Sequence, residues 1–298
     1  MRWKGRERSE NVEDRRGMSP QMAMGGGGGI LVVIIVLVMK LLDAPPGAQQ
    51  MAGEIARKLQ EGQRGAQNAP AEAEAGGGKD DEAREFIAVV LRDTETVWTR
   101  LFREQIRNAA YSPPKLVIFS GSVNSGCGTA GSEIGPFYCP RDQKVYLDPA
   151  FFEDLARRHQ APGDFAQAYV IAHEVAHHVQ NLRGYSRVVD EARQKGDERL
   201  SNQMSVRLEL QADFLAGVWA HDAHKEFEIM EPGDIEEAIT AANRIGDDTL
   251  QREATGRVNP DRYTHGTSEQ RARWFSRGMR SGQLEDCEEL FRVAYERL

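Results

Sequence analysis

The hydrophobic and polar positions along the chain divide it into stretches of different character. Residues 22–42 hold five consecutive glycines and then, from residue 30 to residue 39, ten apolar residues in a row. Residues 43–80 contain hardly any large apolar side chains and are rich in Ala, Gly, Gln, Pro and Glu. Beyond them, apolar residues recur at helical or strand spacing. The pattern predicts a basic tail at 1–21, a transmembrane anchor at 22–42, a flexible linker at 43–80 and one domain at 81–298.

The pattern within the domain is mainly that of helices. Apolar residues at helical spacing in 81–109 predict a helix, and LVIFS at 116–120 predicts a strand. The glycine-rich residues 121–135 predict a loop, and PFYC and KVYLD predict two further short strands. Almost everything after Asp148 predicts helix. We therefore expect an α+β fold, mostly helical, with a small antiparallel sheet.

The apolar stretch at 22–42 also predicts an orientation. Its 21 residues match the ~20 needed to cross the hydrocarbon core of a bilayer. Basic residues that flank a span stay in the cytoplasm, and six precede this one: Arg2, Lys4, Arg6, Arg8, Arg15 and Arg16. We expect a single-pass anchor in the cell membrane, with the N-terminus cytoplasmic and the domain periplasmic or extracellular. A cleaved signal peptide is the alternative, although no clear A-x-A site follows the apolar run.

Charge and cysteine content exclude two broad classes of protein. The 298 residues carry a net charge of −8; residues 1–42 hold seven basic and four acidic side chains, so the rest of the chain carries −11. A negative surface repels phosphate groups, and we expect no nucleic-acid partner. Three cysteines are too few for a fold built on disulfides.

The residues HEVAHHVQ at 173–180 contain the spacing H-E-x-x-H. Residues four apart share a helix face, so the imidazoles of His173 and His177 can bind one metal ion, with Glu174 beside them as a general base. A surface helix with two ordinary histidines is the alternative, but such groups inside an apolar segment need partners. We expect a catalytic site with one Zn²⁺ ion per chain.

A catalytic zinc ion needs a third protein ligand and an open position. The extended motif H-E-x-x-H-x-x-G-x-x-H is absent, because Gln180 and Arg183 stand where its Gly and third His would be. The best candidate is Glu209, on a second apolar helix 32 residues after His177. Asp213, one turn later, would accept a hydrogen bond from the far nitrogen of a ligand imidazole. Two alternatives stay open: Asp213 is itself the ligand, or both carboxylates are solvated.

A second polar region, DRYTHGTSEQRARWF at 261–275, offers further groups. His265, in a glycine-containing loop, can donate a hydrogen bond to an oxyanion, with Asp261 to orient it and Tyr263 as an alternative donor. Arg271 can pair with a carboxylate of the substrate or of the site. The alternative for His265 is a loop histidine that caps a helix. Three further histidines are expected to be structural or exposed: His178, His221 and His224. His159 lies at a charged helix end and indicates no function.

These motifs together resemble a known family. The stretches HEVAHHVQ, LELQADFLAGVWA, THGTSEQRARWF, CGTAGSEIGPFYCP and the opening MRWKGRERSENVEDRRG are similar to those of the bacterial putative neutral zinc metallopeptidase family. The resemblance covers nearly the whole chain apart from 43–80. It implies a zincin-like peptidase domain behind a membrane segment, with His173, His177 and Glu209 as zinc ligands and Glu174 as the catalytic base.

The cysteines bear on the compartment. Cys127 and Cys139 bracket a short glycine-rich loop, and an oxidising exterior would let them form a disulfide. Two free, buried thiols are the alternative. Phe214 stands where the family's E-L-Q-A-D-C pattern has Cys, which leaves Cys287 without that partner and predicts a free thiol.

The segment THGTSEQR is also similar to the T-H-x-x-x-x-x-R segment of membrane-bound gluzincin proteases of the CAAX-processing type, which favours roles for His265 and Arg271. We expect a membrane-anchored zinc metalloendopeptidase that acts on a peptide or protein. A non-catalytic, zinc-stabilised envelope scaffold or adhesion protein is the alternative from another class. A metal-dependent hydrolase of a non-peptide substrate also fits the motif.

Overall fold

The fold is seen in a computed structural model that describes residues 1–17, 79–106 and 109–298. The strands are β1 (Val12–Asp14), β2 (Lys115–Ile118), β3 (Ser122–Ser125), β4 (Gly128–Gly131), β5 (Phe137–Cys139) and β6 (Lys144–Leu147). The helices are α1 (Lys79–Gln105), α2 (Ala150–Arg157), α3 (Asp164–Arg183), α4 (Ser186–Gln194), α5 (Glu198–Phe227), α6 (Asp234–Arg244), α7 (Asp247–Thr255) and α8 (Ser268–Ser281). Short 3₁₀ turns lie at Ser132–Ile134, Pro260–Arg262, Leu284–Phe291 and Tyr295–Arg297. The prediction of a mostly helical α+β fold with a small sheet is confirmed.

Four strands form one sheet in the order β1–β2–β6–β5, and β3 and β4 form a separate antiparallel hairpin. β1 and β6 both run parallel to β2, whereas β5 is antiparallel to β6. The predicted antiparallel sheet is therefore wrong for the first two pairings, because strands far apart in the chain pair in parallel through long connections. The segment 121–135, predicted as a loop, contains the β3–β4 hairpin. The sequence does not predict this hairpin because the glycines of the segment interrupt the apolar pattern that is typical of strands.

Residues Met1–Arg16 belong to the same compact unit as Gly78–Leu298. The strand β1 adds to the edge of the sheet, with Val12 opposite Leu116 on β2. The prediction of a separate basic tail at 1–21 is therefore wrong for the first 16 residues. Three residues of mixed polarity carry no alternating pattern, so the sequence alone does not reveal this strand.

Side chains of this N-terminal segment pack on α1. The ring of Trp3 meets the ring of Phe86 edge to face, with 5.3 Å between centroids. The guanidinium of Arg6 donates to both carboxylate oxygens of Asp93, at 2.7 and 2.9 Å. Asp93 is 3% exposed, and a buried carboxylate needs such a partner. The N-terminal segment therefore supplies both apolar contact and a counter-charge to the domain.

The predicted anchor at 22–42 lies outside the described residues, as does the linker at 43–80 except for its last two residues, which begin α1. No helix in the described part of the chain is long and apolar enough to cross a membrane. The anchor and the linker therefore stay predictions. The predicted orientation, with a cytoplasmic N-terminus and the domain outside, does not agree with the packing of the first 16 residues on that domain.

The helix α5 packs against both α3 and α8, and the three helices carry the residues of the site. A Cβ added to Gly217 on α5 would lie 2.1 Å from the carbonyl oxygen of Phe275 on α8. A Cβ added to Gly278 would lie 1.9 Å from the carbonyl oxygen of Phe214. Glycine at both positions therefore lets the backbones of α5 and α8 touch. The helix α3 ends at Gly184, whose φ of 76° is a conformation that glycine adopts without strain.

Candidate metal centre

The helix α3 brings His173 and His177 together on one face, as the spacing predicts. Their ring centroids are 4.8 Å apart. Nε2 of His173 lies 3.2 Å from Oε2 of Glu209, and Nε2 of His177 lies 3.5 Å from Oε1 of the same carboxylate. Glu209 projects from α5. Two imidazole nitrogens and one carboxylate, from two packed helices, therefore meet at one point.

The charges of these three groups depend on one another. Burial disfavours ionised Glu209, but the charges of His177 and His265 outweigh it and hold the pKa of Glu209 well below 4.5. Burial likewise disfavours protonated His177, yet the Glu209 carboxylate outweighs it and raises the pKa of His177 to about 9. A divalent cation can take the place of the protons on such imidazoles, because metal binding releases ligand protons.

The far side of His173 is held by a buried ionic network. Nδ1 of His173 lies 2.8 Å from Oδ1 of Asp213, which is fully buried. Arg271 donates through Nε to Oδ2 of Asp213 at 2.9 Å, and the hydroxyl of Tyr169 donates to Oδ1 at 2.5 Å. Burial disfavours ionised Asp213, but Arg271 outweighs it and lowers its pKa to about 2. Arg271 thus pairs with a carboxylate of the site, one of the two uses that the sequence suggested.

Glu174 borders the same group. His173, Glu174 and His177 each offer a ligand atom within 4.8 Å of the others, and Glu174 is 8% exposed. Two carboxylates therefore flank the imidazoles. Of these two, Glu209 makes the contacts with the Nε2 atoms described above.

His265 lies in the loop between α7 and α8 and faces the same cleft. Half of its side chain is exposed, and its Nδ1 lies 3.2 Å from Oδ1 of Asp247. Oδ2 of Asp247 accepts the backbone N–H groups of three successive residues, Thr264, His265 and Gly266, at 2.7, 2.6 and 3.1 Å. The nearby Glu209 carboxylate raises the pKa of His265, and burial opposes this shift. One carboxylate therefore holds both the loop and the ring of His265.

Sequence reasoning missed Asp247. It chose Asp261 to orient His265, but Asp261 is exposed and pairs with Arg199 at 3.4 Å. Tyr263, the suggested alternative donor, is 6% exposed and belongs to the hydrophobic core. The pattern that could have drawn attention to Asp247 is Gly246-Asp247 at the start of α7, but this pattern is also typical of an ordinary helix start. Its contact with the loop 264–266 depends on the packing of α7 against α8.

A cavity of about 700 Å³ lies at the site. The metal-binding candidates and His265 line its polar part. An apolar part is formed from the segment around β5, from α2 and from α3: Ile134, Pro136, Phe137, Tyr138, Phe151 and Val170. Residues of α4 contribute charged groups at another wall: Arg187, Asp190 and Arg193. A cavity of this size and mixed lining suits a small molecule or a few residues of a peptide.

The remaining predicted residues have other partners. Nε2 of His178 lies 2.7 Å from the carbonyl oxygen of Ser112, and Nδ1 of His221 lies 2.8 Å from that of Met279. His224 accepts a backbone N–H, and His159 is one of the residues that line the cavity. Cys127 and Cys139 form a disulfide, and Cys287 is a free, buried thiol.

A second group of carboxylates, Asp164, Asp234 and Glu237, lies outside the cavity. The α-ammonium group of Met1 donates to Asp164 at 2.5 Å and to Asp234 at 3.4 Å. The α-ammonium group therefore already neutralises part of the charge of these carboxylates, and we do not consider the three carboxylates a metal centre.

The donor set at the floor of the cavity fits zinc. Zn²⁺ accepts imidazole nitrogen and carboxylate oxygen, and two histidines with one glutamate leave a position open for water or substrate. The Nδ1 atoms of His173 and His177 face hydrogen-bond acceptors, which leaves both Nε2 atoms for a metal. The fold and the site therefore define an H-E-x-x-H protein with a His₂–carboxylate group in a cleft.

The chain belongs to a family whose description agrees with this site. The family model described as "putative neutral zinc metallopeptidase" matches residues 1–290, which confirms the family that the sequence predicts. The chain is 43% identical over 287 residues to "Uncharacterized protein YpfJ" of Escherichia coli strain K12, covering 96% of this chain and 98% of that protein. It is 39% identical over 212 residues to "Uncharacterized protein Rv2575" of Mycobacterium tuberculosis H37Rv, covering 68% and 69%. No solved structure matches the chain, and the zincin-like fold stays a prediction.

Proposed function

We propose that the protein is a zinc metallopeptidase that hydrolyses peptide bonds. The observation that carries the proposal is the approach of both imidazole Nε2 atoms, on His173 and His177, to the carboxylate of Glu209. These three residues are the zinc ligands in the proposal. When bound there, zinc supplies Lewis acidity, which activates water and polarises a carbonyl group.

Glu174 acts as the general base. It follows His173 directly on α3, lies within reach of both imidazoles and lines the cavity. Its carboxylate takes a proton from the attacking water and later gives that proton to the leaving amine. Glu209, which contacts both Nε2 atoms, is the better ligand of the two carboxylates.

His265 donates a hydrogen bond to the carbonyl oxygen as negative charge develops on it. Asp247 accepts from Nδ1 of His265, so a second proton on Nε2 makes the ring an imidazolium. The raised pKa of His265, caused chiefly by Glu209, favours that form. Asp247 is a positioning residue in this scheme, since it fixes the loop as well as the ring.

The edge of the sheet supports a peptide as the substrate. β5 is the last strand in the order β1–β2–β6–β5, and Phe137 and Tyr138 on β5 line the cavity. An edge strand can pair its free backbone groups with an extended peptide. A peptide that added to β5 would lie next to the metal-binding candidates, and the apolar wall would receive one of its side chains.

A structural zinc site is the main alternative, and it needs a fourth protein ligand. Within the part of the chain that the structure describes, the cysteines, His178 and His221 are not candidates: two cysteines form a disulfide, Cys287 lies against Gln211, and His178 and His221 contact carbonyl oxygens. Glu174 and His265, which both line the cavity, are the candidates at the site. Their roles therefore separate a closed structural site from a catalytic one.

We also propose that the domain lies outside the cytoplasm. The Cys127–Cys139 disulfide supports an oxidising compartment. Attachment to the membrane through residues 22–42 is part of the proposal, supported by the hydrophobicity of that segment. Because residues 1–16 pack on the domain, the proposal places both on the same side of the membrane. The substrate would then be a peptide or protein of the same compartment.

The test is zinc content and peptide hydrolysis of the purified full-length chain, with a library of quenched fluorescent peptides. We expect one zinc per chain in the wild type and in Glu174→Gln, and a fall in turnover of about 10²–10⁴-fold in the variant. The matched control is Glu191→Gln, at an exposed glutamate on α4, which should keep both zinc and turnover.

Three results would contradict the proposal. A wild-type chain that binds no zinc would contradict the proposed metal site. Hydrolysis at the wild-type rate in Glu174→Gln would contradict the role of Glu174 as general base. One zinc per chain without turnover in the wild type would favour a structural site, and loss of zinc from Glu174→Gln would identify Glu174 as its fourth ligand.

A further inference from the structure

We propose that Gln180 is a positioning residue that fixes the tautomer of the zinc ligand His177 and ties it to the helix that carries Glu209. Oε1 of Gln180 lies 2.8 Å from Nδ1 of His177, one turn earlier on α3. The proposal rests on the zinc site proposed above and adds a residue to it.

The orientation of the Gln180 amide follows from its other partners. Nε2 of Gln180 lies 2.6 Å from the backbone carbonyl oxygen of Leu208 and 3.1 Å from Oε1 of Gln211. A carbonyl oxygen only accepts hydrogen bonds, so the group that faces Leu208 must be the NH₂ of the amide. The oxygen of Gln180 therefore faces His177.

This orientation decides which nitrogen of His177 is available to a metal. An amide oxygen only accepts, so Nδ1 of His177 must carry a hydrogen and donate it to Gln180. In the neutral ring Nε2 then has its lone pair free. Nε2 is the atom that lies 3.5 Å from Glu209, so the tautomer that Gln180 selects is the one that binds zinc there.

The amide of Gln180 also joins the two helices that supply the ligands. Leu208, whose carbonyl oxygen it contacts, immediately precedes Glu209 on α5. Gln211, its second partner, lies two residues after Glu209 and donates through Nε2 to Sγ of Cys287 at 3.3 Å. Both Gln180 and Gln211 are fully buried. A buried amide with all these partners has one stable orientation, since a flip would leave polar groups unpaired.

The two proposed zinc ligands on α3 therefore have hydrogen-bond partners of different charge. His173 donates to the carboxylate of Asp213, which is paired with Arg271. His177 donates to a neutral amide. A carboxylate raises the basicity of an imidazole ligand more than an amide does, because it carries charge. In the sequence, Gln180 is noticeable because it occupies the place of the glycine in the extended zinc motif. In the structure, its side chain is the hydrogen-bond partner of His177.

The experiment measures zinc affinity in the full-length chain by competition with a chromophoric chelator. Gln180→Met keeps the size of the side chain and removes both polar atoms. We expect its affinity for zinc to fall about 10–100-fold, the usual effect of losing a partner of a metal-bound histidine. Gln167→Met is the matched control, the same substitution earlier on α3 at a partly exposed position that does not line the cavity, and its affinity should not change.

Two further measurements separate positioning from folding. In the Co²⁺-substituted protein, the d–d absorption bands of Gln180→Met should shift relative to wild type, whereas those of Gln167→Met should not. Gln180→Glu keeps an oxygen acceptor opposite Nδ1 of His177 but loses the amide donor to Leu208, so its zinc affinity should lie between those of Gln180→Met and wild type. Where Gln180→Met fails to fold, Gln180→Glu is compared with wild type instead, and a loss of zinc affinity greater than about 100-fold in the folded variant would contradict the proposal.

The results that would overturn the proposal are specific. Wild-type zinc affinity and an unshifted Co²⁺ spectrum in a folded Gln180→Met would show that the amide does not position His177. Zinc affinity in Gln180→Glu that is lower than in Gln180→Met would show that the oxygen acceptor is not the needed group. Neither measurement involves a peptide, so a chain that binds zinc without hydrolysing peptides would contradict the peptidase and leave this inference standing.

Discussion

Oδ1 of Asp213 lies 2.8 Å from Nδ1 of His173, and this contact joins the helix with the H-E-x-x-H residues to the helix with Glu209. The same carboxylate accepts hydrogen bonds from Arg271 on α8. Three helices are therefore connected through one fully buried carboxylate directly behind a candidate ligand. The stability of the domain and the orientation of His173 depend on the same ion pair.

Replacing Arg271 should show this dependence. Arg271→Met leaves the carboxylate of Asp213 buried without its counter-charge, and such a loss destabilises a fold by about 3–5 kcal/mol. Urea denaturation of the metal-free chain measures the change. Arg280→Met, at an exposed position on the same helix, is the control and should change the free energy of unfolding by less than about 0.5 kcal/mol. Equal effects of the two substitutions would contradict the structural role of Arg271.

The contact between α5 and α8 predicts a second effect. Gly217→Ala places a methyl group 2.1 Å from the carbonyl oxygen of Phe275, so the helices must separate. Overpacking of this kind costs about 1–3 kcal/mol. Gly278→Ala acts at the same crossing, and the double variant should be less destabilised than the two single effects together, since one displacement relieves both clashes. Thermal and urea unfolding of the three variants test this, and strict additivity would argue against a shared contact.

Asp247 should affect turnover rather than zinc binding. Asp247→Asn weakens the acceptor that holds Nδ1 of His265 and the backbone of the loop 264–266. Because small displacements of a reacting group are costly, we expect kcat to fall about 10–100-fold. Zinc affinity should stay at the wild-type value. Asp261→Asn is the control, since Asp261 lies at the surface against Arg199; a larger loss of kcat in Asp261→Asn than in Asp247→Asn would reverse the assignment.

Glu13 on β1 predicts a dependence of stability on pH. Burial disfavours its charged form, but hydrogen bonds from Lys144, Arg15 and Lys115 outweigh it and lower the pKa of Glu13 from 4.5 to about 2. A carboxyl group whose pKa is lowered in the folded state stabilises the fold above pH 4.5 and loses that contribution as the pH falls toward 2.

The measurement is urea denaturation of wild type and Glu13→Gln between pH 6 and pH 2. The difference in stability should be largest at pH 6 and should shrink across the acidic range. Glu10→Gln, at an exposed position in the same segment, should follow the wild-type curve. A constant difference between wild type and Glu13→Gln at all these pH values would mean that the ion pairs of Glu13 do not stabilise β1.

The sequence predicted those parts of the site whose geometry is local. His173 and His177 share a face because they are four residues apart on one helix, and this needs no knowledge of the rest of the fold. Glu209 and Asp213 were chosen on chemical grounds and by a resemblance, and the structure places both beside His173. Their helix can be predicted from its apolar pattern, but its position next to α3 depends on packing.

The parts that the sequence did not predict depend on distant pairing. β1 has three residues and no alternation of apolar and polar positions, so its place beside β2 is set by tertiary contacts. The partner of His265 was sought nearby at Asp261, whereas the structure supplies Asp247, 18 residues earlier in the chain. Gln180 stood out only as a departure from a motif, because its partners lie on α5.

The pairing of β1 with β2 also bears on the compartment in which each part of the chain lies. Strands that pair in one sheet lie on the same side of any membrane, so Val12–Asp14 and Lys115–Ile118 occupy one compartment. The N-terminal arginines, which by the positive-inside rule would mark a cytoplasmic flank, include Arg6 and Arg8, and in the folded chain these bind the carboxylates of Asp93 and Glu85 on α1.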